Sequence, residues 1–170
     1  MTTRSDDVVT ALTRLAARAV DGLAIATFTG MFACVFAQVV FRYFLGDPLV
    51  WSDELARYLF VWCSFLGWVI AARKRSHLSV SVAADRLAPN GRALLALVGA
   101  AAAIAFAGLL VYYGVRIAAR NWDVDTTSLA LSMGVVYVIV PAAALAVAFH
   151  AVADARTALQ ALFGAQEGNR

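Results

Sequence analysis

The residues best suited to chemistry in this sequence are four charged side chains that lie close together. Asp53, Glu54 and Arg57 fall within one short stretch, and Arg42 precedes them across a turn. If the stretch is helical, Arg57 lies four residues after Asp53 and three after Glu54, the spacing at which side chains pair on one helix surface. The pattern predicts an ion-pair network, with Arg42 brought near the acids by the turn.

The residues around these charges predict where two helices end and begin. Leu45-Gly46-Asp47-Pro48 is a turn signal, and Ser52 is the expected N-cap of the next helix. Asp53 and Glu54 would then lie in the first helical turn, where the helix dipole favours acids. Gln38 lies one turn deeper than the arginine, on the same face. The charges either cap two helices at a wet interface or form a network that joins them to another protein.

The histidines and cysteines do not form a recognisable catalytic, haem or metal site. His77 lies in a basic loop and His150 near the end of the last apolar stretch, so neither is placed to ligate a haem between helices. Cys34 and Cys63 lie inside long apolar stretches, where a thiol usually acts as a small packing residue. The sequence has no Cys-x-x-Cys pair. We therefore expect no enzyme active site, no metal and no cofactor in this chain.

Composition and the spacing of charges indicate an integral membrane protein. Of the 170 residues, 62% are hydrophobic and 15% are charged, whereas soluble domains are about a quarter charged. Uncharged stretches of 20, 23 and 28 residues are long enough to cross a hydrocarbon core, and they cover residues 22–41, 93–115 and 126–153. The stretch 58–72 has only 15 residues, so its span must begin earlier and carry the acids into the membrane boundary.

The predicted fold is an all-α integral membrane protein, a single domain over residues 1–170 with four transmembrane helices. An interfacial helix, residues 1–19, is expected before the spans, which cover approximately residues 20–44, 52–72, 92–118 and 129–155. Ten Lys and Arg residues lie in the N-terminal segment, the central loop and the tail, on one side of the membrane, and four lie towards the other side. Because basic loops stay in the cytoplasm, both termini are expected there.

The charged stretch also resembles a known family. The segment Trp51-Ser52-Asp53-Glu54-Leu55-Ala56-Arg57-Tyr58 is similar to the small permease subunit (DctQ-like) of tripartite ATP-independent periplasmic (TRAP) transporters. Phe41-Arg42-Tyr43 and Pro48-Leu49 extend the similarity before it, and Arg73-Lys74-Arg75-Ser76-His77-Leu78-Ser79-Val80 extends it afterwards. The similarity resumes at Ser128-Leu129-Ala130-Leu131. It covers the layout of the whole chain, and residues 38–90 in detail.

Two positions depart from the pattern of that family. Ser81 stands where an acidic residue is frequent, and Ser132 stands where a proline commonly precedes the fourth span. We expect the local geometry to differ at these two positions, while membership of the family is unaffected.

The resemblance implies a subunit of a transporter rather than a complete one. Its expected partners are a large TRAP permease subunit, a periplasmic substrate-binding protein and the lipids of the bacterial inner membrane, with no nucleic acid. The large subunit would bind sodium and organic acids, while this chain braces it and helps to dock the binding protein. The residues expected at the subunit interface are Gln38, Arg42, Trp51, Ser52, Asp53, Glu54, Arg57 and Tyr58.

The alternative function is that of a membrane-anchor subunit of a respiratory or redox complex. That function would require inward-facing histidines, which the sequence does not indicate. An ion-coupled carrier ordinarily has an ionisable residue near the middle of a span, and the uncharged stretches leave none there. The distribution of charge therefore favours the scaffolding subunit.

The topology is the first testable prediction. A reporter fused after Arg170 is expected to be active only if it functions in the cytoplasm, because the basic segments lie on that side. Reporters inserted at Asp47 or Val124 are expected to report the periplasm. A periplasmic C-terminus would contradict the orientation.

Overall fold

The structure is a computed structural model that describes residues 3–74 and 89–167. It consists of four long helices and a short π-helical turn, Phe41–Leu45, after the first helix. The helices are α1 Thr3–Val40, α2 Val50–Arg73, α3 Pro89–Arg120 and α4 Met133–Glu167. The predicted departure at Ser81 lies outside the described residues.

Each of the four helices forms a segment long and apolar enough to cross a membrane, and the first segment also includes the π-helical turn. These segments are Thr13–Leu45, Val50–Arg73, Gly91–Arg120 and Met133–Gln160. The prediction of an all-α membrane protein with four spans is therefore confirmed. Residues 3–19 belong to α1 and continue into the first span without a break. Their location at the membrane interface stays a prediction, as does the cytoplasmic location of both termini.

The helices lie side by side in the order α1, α2, α4, α3. The first helix packs on α2, α2 packs on α4, and α4 packs on α3. A core forms where the first two helices meet α4: Val69, Ala72, Ala143 and Val147 are buried there, and Val20 packs against them. In the described residues the backbones of the two edge helices, α1 and α3, lie mainly along α2 and α4, respectively. Side chains reach further, since Trp68 of α2 contacts Phe106 of α3 edge to face, with the ring centres 5.9 Å apart.

Small residues bring α3 and α4 close together. Ala107 and Ala144 are completely buried, and Gly114 faces Pro141 inside α4. A Cβ added to Gly114 would lie 3.0 Å from Cδ of Pro141 and 3.2 Å from its backbone nitrogen. Such small side chains let helix backbones approach and gain dispersion contacts, which is the main attraction between helices in lipid.

The connection between α3 and α4 is a compact loop, residues 121–132. The backbone N–H of Thr126 donates to the carbonyl of Leu131 at 2.8 Å, and the Leu131 N–H donates to the Thr126 hydroxyl at 3.1 Å. These bonds enclose Ala130, whose φ of 49° is left-handed and costs a non-glycine residue about 1–2 kcal/mol. The loop therefore has one defined conformation that is held by its own hydrogen bonds.

Ser132 gives α4 its N-terminal cap. Its Oγ accepts a hydrogen bond from the N–H of Gly134 at 3.1 Å and donates to the carbonyl of Trp122 at 2.5 Å. A serine in this position satisfies an N–H that the helix leaves without an internal partner. At this position, where the family commonly has a proline, the serine of this chain therefore caps the start of the fourth helix.

Much of the surface of the spans is apolar and exposed. Only 11% of the residues in the apolar segment of the first span are buried, against 39% in that of the fourth span. Large side chains such as Phe32, Phe44 and Phe149 are between 66% and 83% exposed. In a bilayer these surfaces contact lipid or another chain, so the described helices form an open layer rather than a closed bundle.

Gly134 is expected to be intolerant of a side chain. A Cβ at this position would lie 2.7 Å from Cε3 of Trp122 and 3.0 Å from the carbonyl oxygen of Ala118. The Gly134→Ala variant should therefore lose about 1–3 kcal/mol of stability through overpacking, seen as a lower midpoint in thermal unfolding. The control is Gly99→Ala, where no atom lies within 4 Å of the new methyl group. Equal midpoints for the two variants would contradict the close contact.

Candidate functional site

Glu54 connects the beginning of α2 to the loop between α3 and α4. Its Oε2 accepts a hydrogen bond from the backbone N–H of Ser128 at 2.7 Å, and its Oε1 accepts one from the N–H of Thr127 at 3.1 Å. Hydrogen bonds to an ionised carboxylate are shorter and stronger than those between neutral groups. A side chain on α2 thus holds the backbone of a loop that lies more than seventy residues away in sequence.

Tyr58 extends the same connection to the start of α4. Its hydroxyl donates to Oε1 of Glu54 at 2.5 Å and lies 3.6 Å from the sulfur of Met133. Met133 is the first residue of α4. Because Glu54 and Tyr58 are one helical turn apart, one face of α2 holds both the loop and the helix that follows it.

Asp53 and Arg57 form a separate pair on the exposed side of α2. Nη2 of Arg57 lies 3.1 Å from Oδ2 of Asp53, and the two side chains are 72% and 66% exposed. The prediction that Arg57 pairs with both acids is wrong in one respect, since Glu54 turns to the loop backbone instead. An exposed pair of this spacing contributes about 0.5 kcal/mol at most to the stability of a helix. The pair is therefore accessible to a partner.

Ser52 is not the N-cap that the sequence predicts. The helix begins at Val50, two residues earlier, and Leu49 occupies the cap position without a side-chain bond. The Ser52 side chain is completely buried, and its hydroxyl donates to the Leu49 carbonyl at 2.6 Å. The thiol of Cys34 on α1 donates to the Ser52 carbonyl at 3.1 Å. Ser52 is thus a small residue in the contact between the first two helices.

The other predicted interface residues lie at the ends of the same two helices. Gln38 is half-buried on α1, and Trp51 is 42% exposed at the beginning of α2. The guanidinium carbon of Arg42 lies 5.9 Å from the ring centre of Tyr43. Within residues 3–74 and 89–167, Arg42 forms no ion pair with the acids of α2, contrary to the network expected from the short turn.

A second polar connection lies at the opposite end of α2. Nη2 of Arg73 lies 2.6 Å from Oδ1 of Asp21, and its Nη1 donates to the carbonyl of Ala17 at 3.0 Å. Along a helix, Glu54 and Arg73 are separated by about 28 Å, close to the thickness of a hydrocarbon core. The two connections are therefore separated by about the length that a helix needs to cross the hydrocarbon core.

Several of these partners carry no signal in the sequence. Thr127 and Ser128 contribute backbone N–H groups, which every residue except proline has, so side-chain types do not identify them. Asp21 is the one partner that the pattern of charges marks, because it is the last acid before the first apolar stretch. Its position relative to Arg73 depends on how α1 and α2 cross.

Comparison with known families places this chain among transporter components. The sequence profile of the DctQ component of tripartite ATP-independent periplasmic transporters matches residues 31–161. That match covers α2, α3, the loop held by Glu54, the last part of α1 and most of α4.

Curated relatives support the same family. The chain is 33% identical over 95 residues to the sialic acid TRAP transporter small permease protein SiaQ of Vibrio cholerae, covering 56% of this chain and 55% of SiaQ. It is 29% identical over 126 residues to the C4-dicarboxylate TRAP transporter small permease protein DctQ of Rhodobacter capsulatus, covering 69% and 56%. The chain thus spans about half the length of the curated relatives it matches.

A longer protein is similar over a shorter segment. The sialic acid TRAP transporter permease protein SiaT of Haemophilus influenzae is 40% identical over 53 residues. The segment is 31% of this chain but 9% of SiaT, so SiaT is more than three times as long.

The Glu54 connection predicts how fast two backbone amides exchange with solvent. Glu54→Gln removes the charge and the second oxygen acceptor, so the N–H groups of Thr127 and Ser128 should exchange about tenfold faster, the factor associated with one charge-assisted hydrogen bond. Hydrogen–deuterium exchange of the purified chain measures this. The matched control is Asp53→Asn, an adjacent change of the same kind whose carboxylate contacts only Arg57 in the described chain. Equal exchange in both variants would contradict the connection.

Proposed function

The chain belongs to the family of DctQ components of tripartite ATP-independent periplasmic transporters, as the sequence resemblance indicates, and we propose that it is the small membrane subunit of such a transporter. In this role it scaffolds a larger permease subunit and helps to dock a periplasmic substrate-binding protein for sodium-driven uptake of organic acids. The match over residues 31–161 is the observation that carries the proposal. Sialic acid and C4-dicarboxylates, named for the relatives SiaQ and DctQ, are both organic acids and support that substrate class.

The similarity to SiaT supports a larger membrane subunit as the partner. A segment similar to this chain forms part of a permease protein more than three times as long. Two elements that occur in one chain in a relative commonly associate when they occur as separate chains. We therefore infer that this chain associates with a larger permease component of the transporter.

The distribution of charge supports a scaffolding role within that complex. Uncharged stretches occupy the middle of all four spans, and the charged residues of α2 lie near its two ends. Substrate and ion sites in transporters are usually built from ionisable groups or broken helices near the bilayer midplane. We therefore assign the sodium and carboxylate sites to the larger subunit.

One exposed stripe of α2 fits the contact with a partner helix. Positions three and four residues apart are exposed along its whole length: Val50, Asp53, Arg57, Phe60, Ser64, Gly67, Ala71 and Lys74. In the half of α2 that follows Phe60 this stripe consists of the small residues Ser64, Gly67 and Ala71, and no atom lies within 4 Å of a Cβ built at Gly67. Small residues on one face allow another helix to approach closely within a bilayer.

Five of the eight predicted interface residues divide into two groups on this proposal. Asp53 and Arg57 lie on the exposed stripe, beside Trp51, and contact the partner directly. Glu54 and Tyr58 bond within the chain and position the loop between α3 and α4. In the proposed topology both termini lie on the cytoplasmic side of the inner membrane. That loop then faces the periplasm and is available to the binding protein.

Two matched glycine variants test the assigned face of α2. Gly67→Leu fills the small-residue stripe and should reduce severalfold both the recovery of the larger subunit in a pull-down and sodium-dependent uptake. Gly108→Leu is the control, because Gly108 is an exposed glycine on α3 with no atom within 4 Å of its Cβ position. Loss of recovery with Gly108→Leu alone would assign the contact to the other face.

Reconstitution tests the role of the chain as a subunit. The purified chain in liposomes is expected to transport no organic acid by itself. Uptake should require the larger subunit and the binding protein as well. Sodium-dependent uptake by the isolated chain would contradict the proposed function.

A further inference from the structure

The two edge helices each end their apolar stretch with an arginine beside a tyrosine. The guanidinium of Arg42 lies over the ring of Tyr43, 5.9 Å from its centre. The guanidinium of Arg116 lies 5.4 Å from the ring centre of Tyr112 and also donates a hydrogen bond to its hydroxyl at 2.9 Å. The same combination of a cation and an aromatic ring thus occurs at the end of α1 and near the end of α3.

Both pairs lie at the same boundary of the membrane. Arg42 is the first charged residue after the 20 uncharged residues 22–41, and Arg116 is the first after the 23 uncharged residues 93–115. The first and third spans of a chain cross a bilayer in the same direction. A helix rises 1.5 Å per residue, so either stretch crosses a hydrocarbon core of about 30 Å and brings its arginine to the far side.

These arginines differ from the paired arginines of the central helix. On α2, Arg57 bonds to Asp53 and Arg73 bonds to Asp21. For Arg42 and Arg116, none of the carboxylates whose side chains the structure describes lies within ion-pair distance. An ionised side chain at the edge of the hydrocarbon needs water or an opposite charge around it. Arg57 and Arg73 of the central helix find that charge within the chain, whereas Arg42 and Arg116 do not find it among the described side chains.

The surfaces beneath the two pairs are apolar and exposed. On α1, Phe28, Phe32 and Phe36 repeat at four-residue intervals and are between 56% and 66% exposed. On α3, Leu109 is 57% exposed in the turn below Tyr112, and Phe106 is 54% exposed although its ring also contacts Trp68 of α2. An apolar surface that ends in a cation and an aromatic ring matches the shape of a lipid, whose acyl chains end in a phosphate group.

We propose that the Arg42–Tyr43 and Arg116–Tyr112 pairs bind the phosphate groups of anionic phospholipids at the edges of the helix row. A guanidinium presents parallel N–H donors that match two phosphate oxygens. The Tyr112 hydroxyl accepts from Arg116, so its own proton is available to donate to the same phosphate. This proposal assigns Arg42 to lipid rather than to a protein partner, and it does not depend on the function proposed above.

Native mass spectrometry of the full-length chain measures this binding directly. The chain is titrated with phosphatidylglycerol or with phosphatidylcholine, and the bound lipids are counted. Arg42→Gln and Arg116→Gln should each weaken phosphatidylglycerol binding about fivefold, the factor that corresponds to ~1 kcal/mol per basic side chain near an anionic surface. Arg57→Gln is the matched control, because Asp53 already neutralises that exposed arginine. Binding of phosphatidylcholine should change less in every variant.

Two further variants separate the lipid site from other causes. Arg116→Lys keeps the charge but loses the parallel N–H donors of the guanidinium, so its affinity for phosphatidylglycerol should lie between those of the parent and Arg116→Gln. Tyr112→Phe removes the hydroxyl donor and should also weaken phosphatidylglycerol binding. Unchanged phosphatidylglycerol binding in the Arg42→Gln, Arg116→Gln double variant would overturn the proposal. An equal loss with Arg57→Gln, or competition by inorganic phosphate as strong as that by lipid, would overturn it as well. Loss of the larger subunit without loss of lipid would assign the arginines to a protein contact.

Discussion

The carboxylate of Glu54 is the group on which the arrangement of the helices most depends. It accepts hydrogen bonds from two backbone N–H groups of the loop between α3 and α4 and from the Tyr58 hydroxyl. Because that loop joins two closely packed helices, fixing it also fixes where α4 begins relative to α2. The order α1, α2, α4, α3 places the fourth helix beside the second, and this side chain holds the two together at one membrane boundary.

The bilayer explains why charged side chains occur where they do. Charges are tolerated at the two ends of a span but are costly in its middle, so the polar connections of α2 lie near Glu54 and Arg73. Between these ends, α2 packs through buried apolar residues such as Leu66 and Val69. Polar bonds at the boundaries and close apolar packing between them together give one arrangement of helices in a solvent that supplies no hydrogen bonds.

An open row of helices leaves far more surface uncovered than a bundle of the same length. The small-residue stripe of α2 around Gly67 and the aromatic side chains of α1 and α3 are different kinds of surface. Small residues suit a helix that approaches closely, whereas bulky aromatic residues with an arginine at the boundary suit lipid. The differences among these surfaces thus give a physical basis for distinguishing the side that we propose contacts protein from the edges that we propose contact lipid.

The sequence by itself determined the membrane class, the four spans and the pairing of Asp53 with Arg57. These follow from the lengths of uncharged stretches and from local spacing. Only the tertiary structure decided that Glu54 bonds to a distant loop, that Ser52 is buried against Cys34 instead of capping the helix, and that Arg73 reaches Asp21. Local patterns specify which residues share a helix face, but bonds between helices depend on which helices are neighbours and how they cross. The donors in the Glu54 bonds are backbone N–H groups, which every residue except proline has, so the sequence does not identify them.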